Sequence, residues 1–185
     1  MTEAILETER LSLHLISVDD LITLFEEPTN MSIYEGKPFT NPHRVLMDDS
    51  GPLPWRVPQM KVDPSLNIWF VRWVVVKESQ EIIGSISFHG APDSTGMVEI
   101  GLGIEKSFRN QGFGFEALMA MWRWAIEKPR VETLRYTVSA TNFASVRLVE
   151  KFGFVHVGQQ LDEFDGPEEM YEMSATDFRT RYLSF

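Results

Sequence analysis

Glu105-Lys106-Ser107-Phe108-Arg109-Asn110-Gln111-Gly112-Phe113-Gly114 is the stretch on which the reading of this chain turns. It follows a β-rich run, Met97 to Ile104, and precedes a segment in which Phe115, Leu118, Trp122, Ala125 and Ile126 share one helical face. A strand, a tight turn and an amphipathic helix ending near Pro129 are therefore expected. Gly112 and Gly114 let the backbone come close to a bulky anion, successive N–H groups of Gln111 to Phe115 can converge on its oxygens, and the helix dipole adds partial positive charge. A pyrophosphate suits such a turn, with Arg109 at its mouth as a fixed cation. Taken alone, two glycines before a helix equally fit a plain strand-to-helix turn. No Gly-Lys-Ser/Thr closes the stretch, and a dinucleotide fingerprint would need a further glycine and a parallel strand at the chain's start, so nucleoside triphosphates and NAD lose ground.

About thirty residues on, Asn142-Phe143-Ala144-Ser145-Val146-Arg147-Leu148-Val149-Glu150-Lys151-Phe152-Gly153-Phe154 reads as a helix with Asn142 as N-cap and Gly153 as C-terminal stop. It lies between a strand at about Thr133 to Ser139 and another at Phe154 to Val157, with a last strand at Met170 to Ser174. Upstream, Leu11, Leu13 and Leu15 alternate with Ser12, His14 and Ile16 as a first strand. Ser17 then caps a helix to about Glu27, with Asp19 and Asp20 at its positive end. Seven of the ten prolines lie between Pro28 and Pro64, which reads as a long irregular segment of the kind that serves as a binding loop or lid. Ile68 to Lys77 and Glu81 to His89 read as a hairpin turning at Glu78-Ser79-Gln80.

A length of 185 residues with 43% hydrophobic side chains is enough for one domain with its own core, 1–185. The absence of Cys excludes thiol nucleophiles, disulfides and Cys-ligated zinc, and fits a reducing, cytoplasmic setting. Met1 to Arg10 lacks the basic start and apolar run of a secretory signal, and no segment reaches the roughly 20 apolar residues of a membrane helix. A formal charge of -10 repels phosphate backbones and anionic lipid heads, so neither nucleic acid nor a membrane is an expected partner. His89 and His156 are isolated, and no metal is expected. Trp122 and Trp124 read as helix packing.

Together, in this order and at this separation, the two constellations resemble the GNAT superfamily of N-acetyltransferases. Arg109, Gly112 and Gly114 satisfy its acyl-CoA signature, Gln/Arg-x-x-Gly-x-Gly/Ala, and Asn142, Ser145, Leu148, Gly153 and Phe154 match its later Asn-to-Gly-Phe motif. The opening Thr8-Glu9-Arg10-Leu11-Ser12-Leu13 and the Glu99-Ile100-Gly101 strand resemble the branch that acetylates ribosomal-protein N-termini. The likeness runs from about Thr8 to Ser174, broken by the proline-rich region. It implies an α/β (α+β) fold: a mixed, mostly antiparallel sheet of about seven strands flanked by helices, splayed in a V between the fourth and fifth strands. Residues 28–66, where the likeness breaks, read from their prolines as an irregular insertion and a candidate substrate-side loop. The implied co-substrate is acetyl-CoA, its pantetheine arm paired with Leu102, Gly103 and Ile104 like an added strand. Its pyrophosphate would rest on Arg109, Asn110, Gln111, Gly112, Phe113 and Gly114, with Asn142 reaching the pantetheine.

The acceptor implied is a primary amine, first of all a protein or peptide N-terminal α-amino group. A small-molecule amine or antibiotic acetyltransferase, and a non-catalytic acyl-CoA-binding sensor, stay open beside it, as does a homodimer. An ammonium ion has no lone pair, so a base helps; Glu99 is the candidate because alternation sets it on the face of Gly101 and Gly103, where missing side chains leave room. A surface carboxylate, or a partner for an arginine, is the alternative role. Where many family members carry a tyrosine acid this chain has Val149, and Ser145 is the implied substitute. Asp162 and Glu163 are further candidates to serve as base or to bind the amine, or else belong to a solvated turn.

Overall fold

Antiparallel pairing of the Leu11-Ser12-Leu13 run with a buried valine strand begins the sheet. The computed structural model describes residues 5–162 and 166–183, and the chain divides into two compact units, Met1–His89 with Leu102–Met121 and Gly90–Gly101 with Trp122–Phe185. A strand, β5 (Met97–Ile104), and a helix, α3 (Phe113–Ile126), contribute residues to both.

In the first unit, β1 (Ile5–Glu7), β2 (Leu11–Leu15), β3 (Arg72–Val76) and β4 (Glu81–Phe88) form an antiparallel ladder continued by the end of β5. Leu11 and Leu13 face Val76 and Val74 in register and are fully buried, which is why the alternating leucines decide the register here. The hairpin between β3 and β4 turns at Gln80, whose φ is 55° and whose N–H donates to Val76 O. Helix α1 (Val18–Glu26) starts on Ser17, which accepts from Asp20 N at 3.2 Å, and buries Leu21 and Leu24.

The proline-rich region differs from its expectation. It contains a helix, α2 (Leu53–Val62), and 3-10 turns at Met31–Tyr34 and Pro64–Trp69. Pro52 is the N-cap of α2 and Pro54 lies in its first turn, where N–H groups have no helical partner to lose; Pro58 alone sits deeper. Leu53, Val57 and Met60 bury one side of it. The second 3-10 turn also takes Ile68 to Trp69 out of the expected strand, which begins at Arg72 instead. Thr40 makes a single parallel bridge to Glu81 on β4, and buried Asn41 holds the segment closed by donating to Tyr34 Oη and Val45 O while accepting from Val45 N.

In the second unit the strand order is β5, β6 (Thr133–Val138), β8 (Gly166–Ser174), β7 (Val155–Asp162), with β5 and β6 parallel and the rest antiparallel. Among the described residues the strands number eight, one more than the approximate seven expected, the short β1 being the addition. Both final strands also run longer than the sequence suggested. The β5–β6 ladder covers just Met97–Glu99 against Thr133–Arg135 and then stops, although β6 continues to Val138. Main-chain pairing between β5 and β6, the strands expected as the fourth and fifth, is thus confined to the start of each. Helix α4 (Phe143–Phe152) has Asn142 as N-cap and Gly153, φ 83°, as left-handed C-cap. A closing helix, α5 (Ala175–Tyr182), which the sequence reading lacked, is capped by Ser174 and buries Ala175 and Phe178.

Candidate functional site

Between β5 and α3 the chain makes a 3-10 turn, Lys106–Phe108, and then passes through two left-handed residues, Asn110 at φ 61° and Gly112 at φ 85°. Asn is among the few side chains that tolerate this region, and glycine enters it without strain. The first helical bond runs from Glu116 N to Gly112 O at 3.1 Å. Among the described residues, the N–H groups of Gln111, Gly112, Phe113 and Gly114 meet no acceptor. Four successive donors therefore sit at the positive end of a 14-residue helix.

Side chains brace this turn from its flanks. Arg109 Nε donates to Ile104 O at 2.8 Å, and Gln111 Nε2 to Ser107 O at 2.9 Å. A Cβ placed on Gly103 would meet nothing within 4 Å, whereas one on Gly84 would stand 2.1 Å from Gly103 O. The missing side chain of Gly84 thus lets β4 lie directly against the stretch Leu102-Gly103-Ile104, and that stretch keeps open space beside Gly103. A diphosphate fits the donor set, since the turn offers amides and the exposed Arg109 rather than carboxylates. Glu116, in the first turn of α3, is neutralised by Arg10: Arg10 N and Nε each donate to it at 2.7 Å, and Thr8 Oγ1 does so at 2.6 Å. Burial alone would raise the Glu116 carboxyl, but these hydrogen bonds and the guanidinium charge outweigh it and hold the group below the usual glutamate value. Arg10 and Glu116 were not singled out as functional by sequence reasoning. The signal was the Thr8-Glu9-Arg10 opening, whose partner lies 106 residues away.

In the second unit, Glu99 pairs in register with Arg135, the last residue of the β5–β6 ladder, and accepts the Thr137 hydroxyl at 2.5 Å. Arg135 is bound to Glu172 through Nε and Nη2, at 2.8 and 2.6 Å, so it is committed elsewhere on this polar face. Asn142 Oδ1 accepts from Ser145 N at 3.2 Å, an N-cap geometry. Ser145 is half-buried beside Tyr136, whose phenol burial pushes up and the Ser145 hydroxyl partly relieves. Val149, at the tyrosine position of the motif, is buried in the core. His156 pairs with Glu169 and packs edge-on to Tyr171, while Trp122 and Trp124 are buried on α3, Trp122 near Phe154 and Trp124 under Lys128. Asp162 ends β7, and Glu163 lies outside the described residues. Among the described residues no cluster of three His, Asp or Glu is placed to hold a metal ion, and no helix is long and apolar enough to cross a membrane.

Comparison with known proteins gives the turn a context. Residues 10–155 match the family described as Acetyltransferase (GNAT) domain. An uncharacterized N-acetyltransferase, YjdG, of Bacillus subtilis (strain 168) is 36% identical over 87 residues, 46% of this chain and about half, 52%, of the relative's length. The ribosomal-protein-S5-alanine acetyltransferase of Vibrio fischeri superposes with a TM-score of 0.66 at 16% identity, covering 94% of this chain and 98% of that one. An aminoglycoside acetyltransferase in complex with coenzyme A superposes with a TM-score of 0.61 at 20% identity, covering 94% and 99%. At these identities the structural likenesses concern the fold.

Proposed function

The chain belongs to the GNAT family of acetyltransferases, and from that premise we propose that it transfers the acetyl group of acetyl-CoA to the α-amino group of a protein or peptide. The observation that carries the co-substrate is the run of unpaired amides from Gln111 to Gly114. They suit a diphosphate, with Arg109 as the neighbouring cation and the main chain of Leu102 to Ile104 as the edge for an amide-bearing arm. The likeness of the Thr8-to-Leu13 opening to the ribosomal-protein branch supports an α-amine acceptor, as does the fold shared with an S5-alanine acetyltransferase.

The chemistry asks little of the protein for such an acceptor. An α-amine titrates near 8, against about 10.4 for lysine, so a carboxylate base suffices to draw off its proton. Glu99, oriented by Thr137, takes that proton directly or through a water. The freed nitrogen attacks the thioester carbonyl, the C–S bond breaks, and the leaving thiolate takes a proton, for which Ser145 is the nearest equivalent of the family's tyrosine. Asn142, with its carboxamide oxygen engaged in the cap, has its NH2 available to the pantetheine.

Thiol release from acetyl-CoA, followed with peptides bearing free N-termini, a polyamine and an aminoglycoside, tests this reading. Turnover with the peptides above the others is the expected result. Preference for the aminoglycoside would move the acceptor to the small-amine class, which the shared fold of an aminoglycoside acetyltransferase supports. CoA binding without turnover on any amine would make the protein a sensor.

A further inference from the structure

Three residues of the diphosphate turn and its first helical turn are gripped by Arg10, the residue just before β2. We propose that Arg10 is a positioning residue for acetyl-CoA, aiming the amide of Gly112 and cancelling the charge of Glu116; the inference rests on the co-substrate reading above. The first contact is Arg10 Nη1 to Gln111 O, at 2.9 Å. In a trans peptide the carbonyl and the following N–H point in opposite directions, and no peptide bond here is cis. Holding Gln111 O toward Arg10 therefore turns Gly112 N–H away from it, toward the ligand side. The second contact is the guanidinium plane over the Phe113 ring, 4.5 Å from its centroid, which ties the first helical residue to the same anchor.

The third contact is electrostatic. A carboxylate in the first turn of a helix suits the dipole but repels an incoming diphosphate at the same helix end. Arg10 meets Glu116 through its main-chain N, Nε and Nη2, the last at 2.7 Å from Oε2, and Thr8 occupies Oε1 as well. The acid is thus saturated by donors and its charge offset beside the turn. Gly112 makes room for this arrangement, since a Cβ there would lie 3.2 Å from Arg10 Nη2. Serving a carboxylate, a carbonyl and a ring face at once needs a planar fork, which lysine lacks.

Steady-state kinetics with two thioesters, acetyl-CoA and S-acetylpantetheine, which has no diphosphate, tests the assignment. In Arg10→Ala the KM for acetyl-CoA rises roughly tenfold, the scale of one or two oriented hydrogen bonds, with kcat unchanged, while S-acetylpantetheine is used as by the wild type. Arg10→Lys shows the same pattern at smaller size and replaces the alanine variant should that fail to fold. Wild-type KM for acetyl-CoA in the variants, or an equal loss with both thioesters, overturns the positioning role while leaving the co-substrate reading intact. A wild-type protein that neither binds CoA nor uses acetyl-CoA overturns that reading and this inference with it.

Discussion

Thr137 donates its hydroxyl to Glu99 at 2.5 Å, two residues beyond Arg135, where the main-chain pairing of β5 and β6 ends. A side-chain bond thus takes over where the ladder stops. It fixes the carboxylate on the polar face of the second unit, with Arg135 drawn off to Glu172.

Glu99→Gln keeps the size of the side chain and removes its basicity. We expect kcat to fall roughly a hundredfold, the lower end of the range for a general base, and the alkaline rise of the pH–rate profile to move toward the pKa of the free amine. CoA affinity, measured by calorimetry, stays at the wild-type value. An unchanged pH–rate profile would remove Glu99 from the proton transfer.

Gly112→Glu places a side chain at φ 85° beside Arg10 and a negative charge among the amide donors. CoA binding is expected to be lost in calorimetry, with the circular dichroism of the fold retained. Wild-type affinity in this variant would mean that the diphosphate lies elsewhere.

Gly84→Ala tests the close approach of β4 to β5. The new methyl would stand 2.1 Å from Gly103 O, backbone that has no rotamer to retreat into. A loss of about 1–3 kcal/mol in denaturant unfolding is expected, together with a raised KM for acetyl-CoA as Gly103 is displaced.

Acid should undo the Arg10–Glu116 clamp. The Glu116 carboxyl lies below its usual value in the folded chain, so its contribution to stability is complete above the unfolded value of about 4.3 and is lost as pH falls through the lower folded value. The stability gap between wild type and Glu116→Gln, measured by urea unfolding, is therefore constant near neutrality and closes below about pH 4. A gap that persists at low pH would show that packing, not charge, holds the residue.

Much of the fold was legible where local pattern and tertiary context agree. Met97 to Ile104 is a strand over the residues its β-rich run marks, and Asn142 and Gly153 cap their helix as their side-chain chemistry dictates. Pattern misled where prolines occupy helix positions that need no N–H, as at Pro52 and Pro54, and where the apolar Ile68-Trp69 pair winds into a 3-10 turn. At the site, the glycine turn could be read because its conformation is written in adjacent residues. The Arg10–Glu116 and Thr137–Glu99 contacts join residues 106 and 38 apart, and no local spacing encodes them. Ser145 was visible as a motif residue, but its neighbour Tyr136, one of a run of alternating strand residues, was not.

The proposed acetyl-CoA site rests above all on four main-chain donors meeting a diphosphate. An amide-resolved NMR titration of the wild-type protein with CoA reads them directly. The signals of Gln111, Gly112, Phe113 and Gly114 should shift together and saturate with the same Kd as the calorimetric titration, and S-acetylpantetheine should leave them in place. CoA that binds while those four signals stay still would contradict it.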